Sequence, residues 1–407
     1  MATSLTLPAS GAVAAASARA GARAARLPLR IYAVVLSSLS IVVGLIWDIS
    51  WHLSIGRDGL FSPPHLMIYL GAVVAGTFAG YDVLKNSFWG TPAAQGRRVR
   101  FWGVFYGTLG SLFCIWGALA MLTSAPFDDW WHNTYGLDVT ILSPPHTVLV
   151  LGMMMVQFGA IVDVLALQNR PADPVLTAEQ AARRQRRLQG LFVASAGFSL
   201  TILYLLASEY LDRFAMHASL FYQVSAALFP LLLLAVARAS GLRWAMTYTA
   251  LTYFVVLAGV NWTVQLFPAT PKLGPILYHI THFQPYQFPL LLVLPALAMD
   301  ALRPRLAGRH DWVQAAALAG VFMAVLVPVQ WLMGDWLMSP GARNWFFGSN
   351  MWYFSNSPDW EYRFQYAPWM VETGAVLARG LGVALGIAVV SARLGLAWGN
   401  WMRSIRR

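Results

Sequence analysis

The chain has 407 residues, 58% of them hydrophobic and 11% charged, with a mean hydropathy of +0.55. A soluble domain carries about 25% charged residues, so a soluble fold is excluded, and the sequence reads as an all-α, polytopic membrane bundle. The net charge of +11 does not point to nucleic acid, because the basic residues sit in short loops between apolar runs, as in membrane topogenesis.

In chain order, residues 1–30 are rich in Ala and Arg and lack an apolar run. They read as a disordered cytoplasmic tail; a transit peptide has the same composition. A bilayer crossing takes about 20 residues. Ten runs are long enough, near 31–52, 63–84, 100–123, 144–168, 189–210, 217–239, 243–267, 284–302, 311–336 and 369–396. The single cysteine, Cys114, lies inside the third run and excludes an internal disulfide or a cysteine-ligated cluster. Residues 31–168 form one membrane half of two hairpins, and 189–396 a second half of six spans. Segment 337–368 is the longest outer loop and is dense in aromatics, Trp345, Trp352 and Trp360 among them. It suits an interfacial belt or a vestibule for an apolar substrate. A basic tail closes the chain at 397–407.

Placing the N-terminus inside gives 22 Lys and Arg to the inner segments and five to the outer loops. That asymmetry predicts ten spans with both termini cytoplasmic, in a bacterial inner membrane.

One stretch occurs twice. Asp48, His52, Gly56 and Asp58 recur as Asp128, His132, Gly136 and Asp138, 80 positions later. Ser62, Pro63, Pro64 and His65 recur as Ser143, Pro144, Pro145 and His146, at an offset of 81. Each copy joins the end of one span to the start of the next, on the outer side. Asp82 follows His65 by 17 residues and Asp163 follows His146 by 17, so two hairpins share one plan. Later hairpins read as worn copies: Glu209, Asn261 and Asp335 end odd spans, and His217, His282 or Trp369 stands near the start of even ones. Asp300 takes the place of Asp82 and Asp163. Duplicated hairpins are a common way to build membrane folds.

Asp48 and His52 are four apart and share a helix face, while His65 opens the next helix behind a proline pair. One carboxylate and two imidazoles then converge, a set that suits copper, zinc or non-haem iron. A carboxylate at a helix C-terminus is disfavoured by the dipole, and a histidine at an N-terminus is held neutral. A bound cation offsets the cost of Asp48 near the bilayer. Asp58 and Asp138 can each accept the second ring N–H of a ligand imidazole, and Arg57 can hold Asp58 ionised. Leu137 stands where Arg57 does. The alternative is that these groups pair with one another and with interfacial water. His279 and His282 are a further candidate pair. His217 and His310 stand alone, the first read as structural and the second as a solvated loop residue.

The first copy resembles the metal-site motif in the C subunit of the copper membrane monooxygenases, the particulate methane and ammonia monooxygenases. Asp48, Trp51, His52, Arg57, Asp58, Phe61, Pro63 and His65 match it at the same spacing. The resemblance implies that Asp48, His52 and His65 bind copper. Carried to the second copy, it makes Asp128, His132 and His146 a second ligand set. The expected function is a copper-dependent membrane oxidoreductase that acts on a small apolar substrate from the lipid, with other membrane subunits as partners. Iron and zinc are the alternative metals. Two other functions stay open: a copper carrier or assembly factor for a respiratory oxidase, and a non-catalytic subunit of such a complex. A carrier needs soft ligands for Cu(I), and the one methionine cluster in a span, Met153, Met154 and Met155, points three ways around its helix.

Overall fold

The computed structural model describes residues 21, 24–56, 59–136 and 143–406; most of the 1–30 tail, Arg57, Asp58 and Asp138 lie outside them. The principal helices are α1 (Leu29–Ser54), α2 (Pro63–Trp89), α3 (Leu109–Tyr135), α4 (Pro144–Gln168) and α5 (Ala178–Leu206), then α6 (Ser219–Ser240), α7 (Ala245–Val264), α8 (Val293–Leu302), α9 (Asp311–Met338) and α10 (Gly374–Ser404). All but α7 and α8 are long and apolar enough to cross a membrane. The chain is therefore an all-α, multi-pass membrane bundle.

Several boundaries differ from the sequence reading for local reasons. The third span starts later, because Val99–Phe101 pairs antiparallel with Phe105–Gly107 ahead of it. The fifth helix starts earlier, at Ala178. Thr177 and Gln180 form a reciprocal cap, which satisfies two free amide groups and lets the arginine-rich stretch wind into α5. At the far end α10 continues to Ser404, so most of 397–407 is helix.

The largest departure is the eighth span, expected over 284–302 and helical only from Val293. Pro285 and Pro289 each lack an amide donor and push the preceding residue away from helical geometry. The extended stretch before α8 is largely buried, where unpaired backbone is costly. Side chains from three helices satisfy it. Ser50 of α1 donates to the Gln284 carbonyl, and Ser54 accepts the Gln284 amide. Asn261 of α7 accepts from Tyr286 and donates to Gln287, and Tyr253 accepts from Leu290. Gln330 of α9 accepts from Leu291.

The first two hairpins pack alike. A Cβ on Gly71 of α2 would lie 2.8 Å from the Ser37 carbonyl of α1. One on Gly152 of α4 would lie 2.8 Å from the Gly117 carbonyl of α3. Both positions need glycine so that the helix backbones can approach. At the opposite end from the motif, Asp82 and Asp163 meet a shared cation. Arg30 donates to Asp163 at 2.8 Å and lies 3.6 Å from Asp82. Arg98 donates to Asp82, and Thr108 to Asp163, each at 2.5 Å. Seventeen residues at 1.5 Å per residue place this network about 25 Å from the histidines.

Candidate metal centres

In the first copy, Asp48 and His52 occupy the last two turns of α1, and His65 is the third residue of α2 behind Pro63 and Pro64. The Asp48 carboxylate lies between the two rings. Its Oδ1 is 3.3 Å from His65 Nε2, and its Oδ2 is 3.8 Å from His52 Nε2. The second copy repeats this arrangement. Helix α3 runs through Pro126 to Tyr135 and carries Asp128 and His132; His146 is the third residue of α4. Asp128 Oδ1 is 3.3 Å from His146 Nε2, and Oδ2 is 3.4 Å from His132 Nε2. One ligand atom from each of Asp128, His132 and His146 lies within 4.8 Å of the others, so this triad could hold a metal ion.

The ring orientations bear on what fits between these groups. His65 Nδ1 is 3.0 Å from the Gly59 carbonyl, and His132 Nδ1 is 3.3 Å from the Gly136 carbonyl. A carbonyl only accepts, so Nδ1 donates, and in the neutral ring the lone pair is on Nε2. That lone pair faces a carboxylate oxygen in each copy. Asp48 Oδ1 and Asp128 Oδ1 are buried and accept no hydrogen bond. Acceptors this close need a positive centre between them, either a proton or a cation. Metal bonds of about 2.0–2.2 Å in a tetrahedral arrangement separate donor atoms by about 3.3–3.6 Å. The separations above cluster around that range. The donors are nitrogen and oxygen without sulfur, a set that suits copper(II), zinc or iron rather than copper(I).

The other candidates fall elsewhere. His279 and His282 are exposed, and His282 Nδ1 contacts Thr281 Oγ1 at 2.9 Å. His310 is exposed, as a solvated loop residue should be, and it also caps α9, its Nδ1 accepting from the Trp312 amide at 3.3 Å. His217 is 3.1 Å from Asp335 Oδ1 and is sandwiched between Trp331 and Tyr366, each with ring centroids at 4.0 Å. Burial lowers its pKa, against a smaller upward pull from Asp335. The sequence marks both residues, one at the start of an even span and one at the end of an odd span, but nothing in it pairs α9 with the approach to α6. Asp300, the counterpart of Asp82 and Asp163, accepts from the Thr247 amide and hydroxyl at 2.8 and 2.9 Å. No family model, curated protein or solved structure matches the chain.

Proposed function

We propose that this chain is a metal-dependent membrane oxidoreductase related to the copper membrane monooxygenases, acting on a small apolar substrate that arrives through the lipid. The observation that carries this reading is the Asp-His-His set present twice: in the first copy buried Asp48 Oδ1 faces the Nε2 of His65, and in the second one ligand atom from each of Asp128, His132 and His146 lies within 4.8 Å of the others. Asp48, His52 and His65 would hold the working metal; Asp128, His132 and His146 would hold a second. Copper fits the donor set, with iron and zinc as alternatives, and bound copper would supply one-electron redox chemistry and a site for oxygen. The chain's own residues do the positioning. The Gly59 carbonyl fixes the His65 tautomer so that Nε2 stays available. Asp48 supplies the negative charge that a cation neutralises.

The two hairpins are read as a duplication, and the charge asymmetry supports both centres lying at the outer face, with a bacterial inner membrane as the proposed location. Reporter fusions test that orientation: after Leu60 the reporter should read outside, and near Gln95 inside. The function is tested by metal analysis of the purified protein together with oxygen consumption on short alkanes. Bound copper with substrate-dependent oxygen uptake supports the proposal. Bound metal without turnover favours a carrier or a subunit. Absence of metal after reconstitution with copper, iron and zinc overturns it.

A further inference from the structure

A cavity of about 510 Å³ lies between the α5–α6 connection, the extended stretch before α8 and the 337–368 loop. That volume falls in the range of small-molecule sites, about 300–1,000 Å³. Its walls are rich in aromatic rings, including Phe214, Tyr286, Phe288, Trp352, Tyr353 and Trp360. Several of the rings offer flat faces: Trp352 stacks on Tyr353 at 4° and on Trp360 at 21°.

The polar groups in this cavity include Arg213, Asp212 and Ser349. Arg213 spends one N–H on the Ser349 carbonyl at 3.1 Å and lies over the Phe214 ring. No acidic side chain forms an ion pair with it among the described residues. Its sequence neighbour Asp212 turns instead to the Ala215 amide at 3.0 Å. Burial pushes the Asp212 carboxyl above its usual pKa. Ser349 is 1% exposed, lines the cavity, and its hydroxyl has no hydrogen-bond partner. A largely buried guanidinium that forms no salt bridge is costly, and an orphaned buried hydroxyl adds to that cost. A ligand that brings a carboxylate to Arg213 and Ser349, and a flat apolar body to the rings, resolves both.

We infer that this cavity is a binding site for a flat aromatic carboxylate, its anionic end on Arg213 and Ser349 and its ring among the aromatic walls. The stacked walls favour a planar body over a flexible chain, and the guanidinium excludes an organic cation. The inference does not rest on the metal proposal, and binding here is read without metal.

The test uses the full chain in lipid nanodiscs, with equilibrium binding of 2-naphthoate and competition by 2-naphthamide and decanoate. Expected is saturable, one-to-one binding of 2-naphthoate, with the neutral amide weaker by about tenfold or more, as for loss of a charged hydrogen bond. Arg213→Gln should remove the preference for the anion, and Arg213→Lys should keep part of it. Ser349→Ala retains the carbonyl that Arg213 uses, so a several-fold loss there reports ligand contact rather than folding. If Arg213→Gln does not fold, the amide comparison and Ser349→Ala decide. Equal binding of acid and amide, tighter binding of decanoate, or unchanged affinity in Ser349→Ala overturns the inference. Asp48→Ala should bind 2-naphthoate as the wild type does, which separates this outcome from failure of the metal proposal.

Discussion

The hairpin of α1 and α2 and the hairpin of α3 and α4 carry the same three residues at nearly the same distances, but they are embedded differently. Helix α1 packs on α2, α4, α5 and α7, whereas α3 packs on α2 and α4. The motif end of α1 is bound into the second half of the chain. Ser50 and Ser54 hold the Gln284 backbone, the Ile55 carbonyl accepts from Lys272, and Trp51 meets Phe283 at 5.9 Å. Gln284 in turn accepts from the Trp352 amide, which links the first centre to the wall of the aromatic cavity. Among the described residues, the motif end of α3 contacts mainly its own aromatics, with Trp130 52% and Tyr135 65% exposed. A ligand set is a local pattern and survives in either setting. Its rigidity depends on what the surrounding residues hold in place, and that differs between the two copies. The first copy is therefore the more firmly held, while the second is the one whose three ligand atoms lie within 4.8 Å of one another.

The largest expected effect comes from removing a ligand. His52→Ala should abolish turnover and remove about one metal equivalent, while His132→Ala should remove metal from the second centre and leave turnover measurable. Metal content and turnover of the two variants decide it, and a more damaging His132→Ala would reverse the ranking.

Next in size is Arg57→Leu, which gives the first copy the residue that the second carries at Leu137. Losing support of this kind costs about 10–100-fold in metal affinity. Competition with a chelator should show the first centre falling to the affinity of the second.

A smaller effect tests the embedding itself. Ser54→Ala strands the buried Gln284 amide, at a cost of about 1–3 kcal/mol, and should loosen the first centre alone. Its counterpart, Thr134, bonds among the described residues to the Trp130 carbonyl of its own helix, so Thr134→Ala should leave melting temperature and metal affinity nearly unchanged. Equal effects from the two substitutions would remove the distinction between the copies.

The smallest effect concerns His217 and Asp335, an Asp–His contact built between separate helices and packed by aromatic rings. Burial holds the folded pKa of His217 below the usual 6.5. The unfolded chain then takes up its proton first, so stability is present above pH 6.5 and lost as pH falls below it. Thermal melts across pH 5–8 should show this decline, and His217→Asn should flatten it without changing metal content.

Composition and hydropathy by themselves determined the membrane class and the place of nearly every helix, because crossing a bilayer demands a run of apolar residues whatever its neighbours are. The i,i+4 pairs and the proline-led histidines were legible for a similar reason: Asp48 with His52, and Asp128 with His132, are neighbours through helix geometry alone. Hydropathy failed at the eighth span because it scores transfer of side chains and not the fate of backbone amides. Pro285 and Pro289 were the available signal that the backbone there could not stay helical. Which groups would rescue that backbone was decided only by packing, which brought Ser50, Ser54, Asn261, Tyr253 and Gln330 to one stretch from three helices. The same holds for His217 beside Asp335 and for Arg30 between Asp82 and Asp163. These partners lie far apart in the chain, and their pairing energy exists only once the helices that carry them have been brought together.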